Sequence, residues 1–247
     1  MRDLLTAWDR QQEAYIAHRE QRFTVMLEVL ELVHGDEFTV LDLACGPGAI
    51  SDRVLAAFPK ARVVAVDHDP ILLTVARGAL AERHGTDRIT IADADLAAPG
   101  WERALPTGID AVLSSTALHW LSPTELSAVY ATAATLLRPG GVLLNADHLR
   151  YGASHPTLRD VAERHDARTQ AAAFAAGTLD YQQWYAEAAR RPELAALTAE
   201  RAARFADRPP QPLAPLAFHL AALEAAGFAE TGTVWQYLDD FVVFARR

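Results

Sequence analysis

Five short stretches of the 247-residue chain hold side chains able to do chemistry. The first is VLDLACGPGAIS, residues 40–51, an apolar run that breaks at Gly46-Pro47-Gly48 and passes into a helical pattern. Glycine in such a turn lets a ligand lie against bare backbone. In the second, VVAVDHDP, Asp67 closes another apolar run 19 residues beyond Gly48; a carboxylate there can accept both hydroxyls of a ribose. The third is Ala92-Asp93-Ala94-Asp95-Leu96. The fourth, IDAVLSSTALHWL at 109–121, contributes Ser114, His119 and Trp120, and the fifth ends in Asp147-His148. Histidine takes or releases a proton near neutral pH, so His119 and His148 are the candidates for a general base or a polar anchor.

Three ligands compete for the glycine turn. A phosphate-cradling loop needs GxxxxGK[ST]; Gly48 is followed by Ala49-Ile50-Ser51-Asp52, without lysine, and that reading fails. A dinucleotide fingerprint needs GxGxxG or GxGxxA. Here its last position is Ser51, and Asp42 sits inside the preceding run, so a nicotinamide-dependent oxidoreductase stays open as a strained alternative.

The third reading takes in more of the chain. VLDLACGPG resembles the first motif of the class I S-adenosylmethionine (SAM)-dependent methyltransferases. The segment at 92–96 resembles that family's GDAxxL segment, with Ala92 where glycine is usual. IDAVLSSTALHWL resembles its fourth motif, LLRPGGVLLNAD at 136–147 the entry to strand five, and LEAAGF at 223–228 the entry to strand six. The resemblance covers roughly residues 36–148 and 213–247. It implies that Gly46 and Gly48, with Ala44 and Cys45, leave room for the methionine end of SAM while Asp42 orients the loop or the amino group. Asp67 and His68 would meet the ribose, Asp93 the adenine amino group, and Ala94 would offer its backbone N–H. Ser114 would close strand four beside the methyl group, and Tyr15 or Arg19 would reach over the cofactor from the N-terminal helix. The implied reaction is in-line methyl transfer that releases S-adenosylhomocysteine (SAH). Its acceptor is a small molecule, with O-methylation of a hydroxyl or carboxylate first and N- or C-methylation next. A SAM-binding protein that transfers no methyl group is the remaining alternative.

The elements that must place these residues follow from periodicity. Residues 3–33 read as one helix with a polar middle. Apolar runs at 38–44, 62–66, 89–92, 109–114 and 142–146 then alternate with helices, a pattern that predicts an α/β fold with a parallel sheet covered on both faces. Runs at 230–236 and 240–245 are separated by three residues, too few for a crossover helix, and should pair as an antiparallel hairpin. The resemblance makes this a Rossmann-like seven-stranded sheet of order 3-2-1-4-5-7-6 with strand seven antiparallel. Residues 150–212 are expected to form a helical substrate lid inserted after strand five. It ends in the linker Pro209-Pro210-Gln211-Pro212 and carries Arg150, Tyr181 and Trp184, which join Trp120 as candidate acceptor contacts. Residues 1–35 would form a second lid.

Composition narrows the partners. The formal charge is −9 and the pI about 5.4. A nucleic-acid binder is expected to show a basic face, and the place where DNA N-methyltransferases of this class carry an NPPY-like motif here reads SSTALHW. Nucleic acid is therefore not expected. Cys45 is the lone cysteine, which excludes an internal disulfide, and no His/Asp/Glu pattern argues for a metal. The first residues lack the apolar core of a signal peptide and no run is long enough to span a bilayer, so a cytoplasmic monomer or homodimer is expected.

Overall fold

In the computed structural model, which describes residues 1–207 and 214–247, the apolar runs become strands. These are β1 (Thr39–Leu43), β2 (Arg62–Asp67), β3 (Ile89–Asp93), β4 (Ile109–Ser115), β5 (Leu137–His148), β6 (Glu230–Tyr237) and β7 (Asp240–Arg246). They form one sheet in the order β3-β2-β1-β4-β5-β7-β6. β1 pairs in parallel with β2 and β4, β2 with β3, and β4 with β5. β7 runs antiparallel to β5 and β6. The expected order and the edge hairpin are both present. Register places Leu43 opposite Val66 and Ser114, and Asp67 opposite Asp93, so the C-terminal ends of four neighbouring strands open onto one edge.

The helices are α1 (Arg2–Tyr15), α2 (Arg19–His34), α3 (Ala49–Ala57), α4 (Pro70–His84), α5 (Pro123–Leu136), α6 (Pro156–Ala175), α7 (Tyr181–Ala188), α8 (Pro192–Ala195), α9 (Thr198–Arg204) and α10 (Leu216–Ala225). Their starts are fixed locally. Asp69 caps α4 by accepting from the Ile71 and Leu72 amides, with Pro70 in the first turn. Ser122 and Glu125 form a capping box on α5, as Asp180 and Gln183 do on α7.

Two expectations need correction. The helix read over 3–33 is two helices, because His18 takes a left-handed conformation (φ 61°) and turns the chain. Its ring lies 4.5 Å from that of Tyr237. The fifth strand does not begin after Gly140-Gly141 but runs through them. The amide of Gly140 donates to the Arg247 carbonyl, and the Arg247 amide to that of Gly141, so the C-terminus holds this stretch extended. The linker expected at 209–212 lies outside the described residues.

One core face packs Tyr130, Val112, Leu143 and Phe241 under α5 and α10. The other packs Phe23, Met26, Val54 and Leu144 under α2 and α3. A third cluster joins α1 to α4, α7 and α8 through Trp8, Leu5, Val75 and Trp184. That last cluster draws the two outlying helical segments onto the edge where the strand ends open.

Candidate active site

The strand ends, the two outlying segments and the 3₁₀ turn Leu118–Trp120 enclose a cavity of about 480 Å³. At its β1 end, Gly46 sits at φ 56°, where a side chain would be strained. Asp42 lies beneath the turn, 1% exposed. The Ser51 hydroxyl donates to its Oδ2 at 2.5 Å, while Oδ1 is buried with no partner. Burial pushes this carboxyl up to about 7, against the pull of the Ser51 hydrogen bond and with a further push from Asp67. Asp67 accepts from three amides: Gly46 on Oδ2 at 2.7 Å, and His68 and Asp69 on Oδ1 at 2.7 and 2.8 Å. A carboxylate offers about four lone-pair sites, so Oδ2 keeps room for a hydroxyl. Burial nonetheless raises Asp67 above the ordinary carboxylate range.

At the β4–β5 end the site is built around an imidazole. Asp147, fully buried on β5, accepts the His119 amide at 3.1 Å through Oδ2 and the His119 ring at 2.6 Å through Oδ1. Burial alone would raise Asp147, but the His119 ring beside it, with Arg22 and His148, holds it below the usual range. An ionised carboxylate only accepts, so Nδ1 of His119 carries the donated proton, and in the neutral ring the lone pair is on Nε2. His148 lines the same cavity with both ring nitrogens buried and unpartnered. Burial, aided by Arg22 and Arg150, pushes it down to about 3. It is therefore a neutral hydrogen-bonding ring near pH 7.

Several residues named from sequence lie outside the cavity lining or are engaged by other groups. Gly48 does not line the cavity; it turns the chain into α3 at φ 87°, and a Cβ there would meet Leu80 at 2.8 Å. Ser114 points away and donates to the Leu43 carbonyl at 3.0 Å, so Ser115 and Thr116 line the cavity instead. Trp184 is core, fully buried, with its indole N–H donating to the Leu4 carbonyl at 3.1 Å and its ring 4.9 Å from Trp8. Asp93 is outside the lining, and both of its oxygens are taken by Arg204 at 2.7 and 2.8 Å. Asp95 and Ala94 face inward there. Ala44, Cys45, His68, Tyr15, Arg19, Trp120 and Tyr181 line the cavity. Arg150 also lines it, but one guanidinium nitrogen serves Asp166 at 2.6 Å and Asp239 at 2.9 Å. His148, Asp166 and Asp239 come close enough to hold a metal ion; Arg150 already supplies the cation that the two carboxylates need.

Sequence reasoning missed Asp147 as the partner of His119, although Asp147-His148 was in view. It also missed the arginines of α9. Arg201 donates to Asp69 at 2.5 Å and lies over the Tyr185 ring at 3.8 Å. The Tyr185 hydroxyl donates to the same Asp69 oxygen at 2.8 Å. With Arg204 on Asp93 and on the His68 carbonyl, α9 is tied across the ends of β2 and β3. The segment after β5 therefore covers the β2–β3 side of the cavity, where Arg201 also donates to the Tyr181 hydroxyl at 3.3 Å, and it adds Gln170 to the lining.

A sheet of order 3-2-1-4-5-7-6 with an antiparallel seventh strand, and with a glycine turn and carboxylates at its strand ends, defines the class I SAM-dependent methyltransferase fold. The dinucleotide fold ends 4-5-6 without that hairpin. Comparison with known proteins agrees. A methyltransferase-domain family model matches residues 40–141. The chain is 32% identical over 183 residues to a trans-aconitate 2-methyltransferase of Azoarcus sp. (strain BH72), covering 73% of this chain and 66% of that protein. It is 30% identical to one of Streptomyces avermitilis, covering 66% and 58%. The chain thus spans less than two thirds of the length of these relatives. Among solved structures, the SAM-dependent methyltransferase SibL in its apo form superposes with a TM-score of 0.61 at 20% identity, over 92% of this chain and 55% of that one. The chain thus has the class I SAM-dependent methyltransferase fold, carries a stretch that matches a methyltransferase-domain model, and is similar to these methyltransferases.

The family's cofactor fits the residues present. Asp42 Oδ1 is a buried acceptor without a donor, as a cationic ligand requires. Gly46 exposes bare backbone, and Asp67 has acceptor capacity left for a hydroxyl. No described lysine or arginine of the lining stands at the glycine turn to meet a pyrophosphate, since Arg19 is held by Asp9 at 2.7 Å.

Proposed function

We propose that the protein transfers a methyl group from SAM to an oxygen of a small organic acceptor. The observation that carries this reading is that the glycine turn with Asp42 and Asp67, and the His119–Asp147 pair, face one cavity. Bound SAM supplies a methyl group on a sulfonium and leaves as SAH. Asp42 and Asp67 hold its cationic and ribose parts. Asp147 fixes the ring of His119 so that Nε2 can take a proton from an acceptor hydroxyl. His148, with its lowered pKa, makes a poor base and a good neutral hydrogen-bonding partner. The relatives are named for methylating trans-aconitate, which supports a carboxylate alongside a hydroxyl as the acceptor class. α1, α2 and α6–α9 act as covers that exclude water, since Trp8, Tyr15, Gln170 and Tyr181 close the cavity. Incubation with methyl-labelled SAM and a pool of small oxygen nucleophiles tests the reading by mass spectrometry: SAH accumulates with a labelled product. SAM binding without SAH from any acceptor would leave a binding protein.

Asp42 gives SAM affinity a pH dependence. Its carboxyl is raised to about 7 in the free protein, so it is largely protonated at pH ~6 and ionised at pH ~8. A cationic ligand favours the ionised form, and binding below pH ~7 must expel a proton. The Kd for SAM is expected to fall about tenfold from pH ~6 to ~8, by calorimetry, and Asp42→Asn to flatten that dependence. An equal slope in the variant would assign it to another group.

The ties from α9 give a second expectation. Arg204→Ala removes the two bonds to Asp93 and one to the His68 carbonyl, loosening the cover over the nucleoside end. Covers of this kind often set the rate of product release. The SAH dissociation rate should rise several-fold in stopped-flow fluorescence; an unchanged rate would place the exit route elsewhere.

A further inference from the structure

The cationic side chains at the acceptor end of the cavity are paired with carboxylates. Among the described residues, Arg19 and Arg150 are the arginines that line the cavity, Arg19 sharing Asp9 with Arg53 of α3. Arg19 is 4% exposed and gives Nη1 to Asp9 at 2.7 Å. Arg150 is shared by Asp166 and Asp239, two carboxylates for one guanidinium. Behind the lining, Arg22 is fully buried and bonded through Nε to Asp240 at 2.7 Å, with a second contact from Nη2. His119 is matched by Asp147. The positive charge that SAM would bring faces Asp42 and Asp67 on the cofactor side. Among the described residues of the acceptor end, what remains unsatisfied is neutral hydrogen-bonding capacity: both ring nitrogens of His148, buried and without partners.

Resting on the methyl-transfer reading, we infer that the acceptor enters as an uncharged hydroxyl compound, oriented by hydrogen bonds with His148, and that polycarboxylates are excluded. A buried carboxylate must find a cation or lose more in desolvation than it gains. Here each cation already has an anionic partner, so a tri-anion would meet a surface with no net positive charge. A carboxylate acceptor is also ionised at neutral pH and has no use for a base held by a buried aspartate. A hydroxyl does. The acceptor oxygen forms its bond to the methyl carbon as the methyl–sulfur bond breaks with its electron pair left on sulfur, and the hydroxyl proton passes to Nε2 of His119. The protein would thus share its cofactor half with the trans-aconitate methyltransferases and differ from them in the charge its acceptor carries.

The test is binding to the SAH-saturated protein by calorimetry. Wild type is expected to give no measurable heat with trans-aconitate at about 1 mM and to form no SAH with it. The double variant Asp166→Asn/Asp239→Asn, which strips Arg150 of both carboxylates, is expected to gain trans-aconitate affinity by at least about tenfold. Should that variant not fold, judged by circular dichroism, the single variant Asp166→Asn, which leaves Arg150 one carboxylate in place of two, serves for the same measurement. Of 4-hydroxybenzoate and its methyl ester, the uncharged ester should bind the wild type more tightly. Binding or methylation of trans-aconitate by wild type, no gain in the charge-freed variant, or a preference for the acid would each overturn the inference while leaving methyl transfer standing. A protein that binds neither SAM nor SAH would fail the methyl-transfer reading itself and the inference with it.

Discussion

His119→Gln is expected to lower kcat about 10²–10³-fold with a hydroxyl acceptor while leaving the Kd for SAH within about threefold. Glutamine keeps a polar side chain in the 3₁₀ turn but has no lone pair basic enough to accept the proton. The orientation argument rests on Asp147: its two oxygens bind the backbone and the ring of the same residue, at 3.1 and 2.6 Å, which fixes both the turn and the tautomer. Asp147→Asn should therefore lower kcat as well, because an amide can present its N–H to Nδ1 and turn the ring's free lone pair away from the acceptor. Steady-state kinetics with SAH binding measured alongside separates this from a structural role. If both variants lose SAH affinity in parallel with kcat, His119 positions the fold rather than the proton.

The second large effect is on stability. Arg22→Met is expected to destabilise the protein by about 3–5 kcal/mol, seen as a fall in Tm of about 10 °C. Arg22 comes from α2 yet reaches the start of β7, where Asp240 is 3% exposed. Removing the guanidinium leaves Asp240 as a buried carboxyl without its cation, which is costlier than losing both partners. Arg22→Met/Asp240→Leu should accordingly recover much of the loss. Arg22 also donates to the Thr116 hydroxyl at 3.3 Å, and Thr116 holds a left-handed conformation (φ 59°) in the cavity wall. Residual activity in the single variant should fall beyond what unfolding explains. A Tm within 2–3 °C of wild type would show that water reaches Asp240 in the variant.

The contrast between these two sites shows what the sequence could disclose. The strands were legible because parallel strands buried on both faces read as continuous apolar runs, and the hairpin because three residues cannot hold a crossover helix. The cofactor end was legible because its residues lie within a few positions of strand ends: Asp42, Gly46, Asp67 and Ala94 all line the cavity. The acceptor end depends on contacts far apart in sequence. Nothing near His119 foretells Asp147, 28 positions on, and nothing near Arg22 foretells Asp240, 218 positions on; the cover over the nucleoside end is the same, since Arg204 lies 111 positions beyond Asp93. Parity decided Ser114: in a strand, neighbouring side chains face opposite ways, and pattern alone left open whether 114 or 115 looks into the cleft. Trp184 was misplaced because an aromatic at helical spacing serves a cavity wall or a core equally well. Its neighbour Tyr181 lines the wall, while Trp184 packs on Trp8. The break at His18 had no glycine or proline to announce it.

The claim on which the rest stands is that the strand-end crevice binds a sulfonium nucleoside rather than a pyrophosphate-bearing cofactor. Calorimetric titration of the wild-type protein with SAM, SAH and NADH measures this directly. SAM and SAH should each bind one molecule per chain, with NADH giving no heat of binding at the same concentration. Saturable binding of NADH, with SAM and SAH inert, would contradict it.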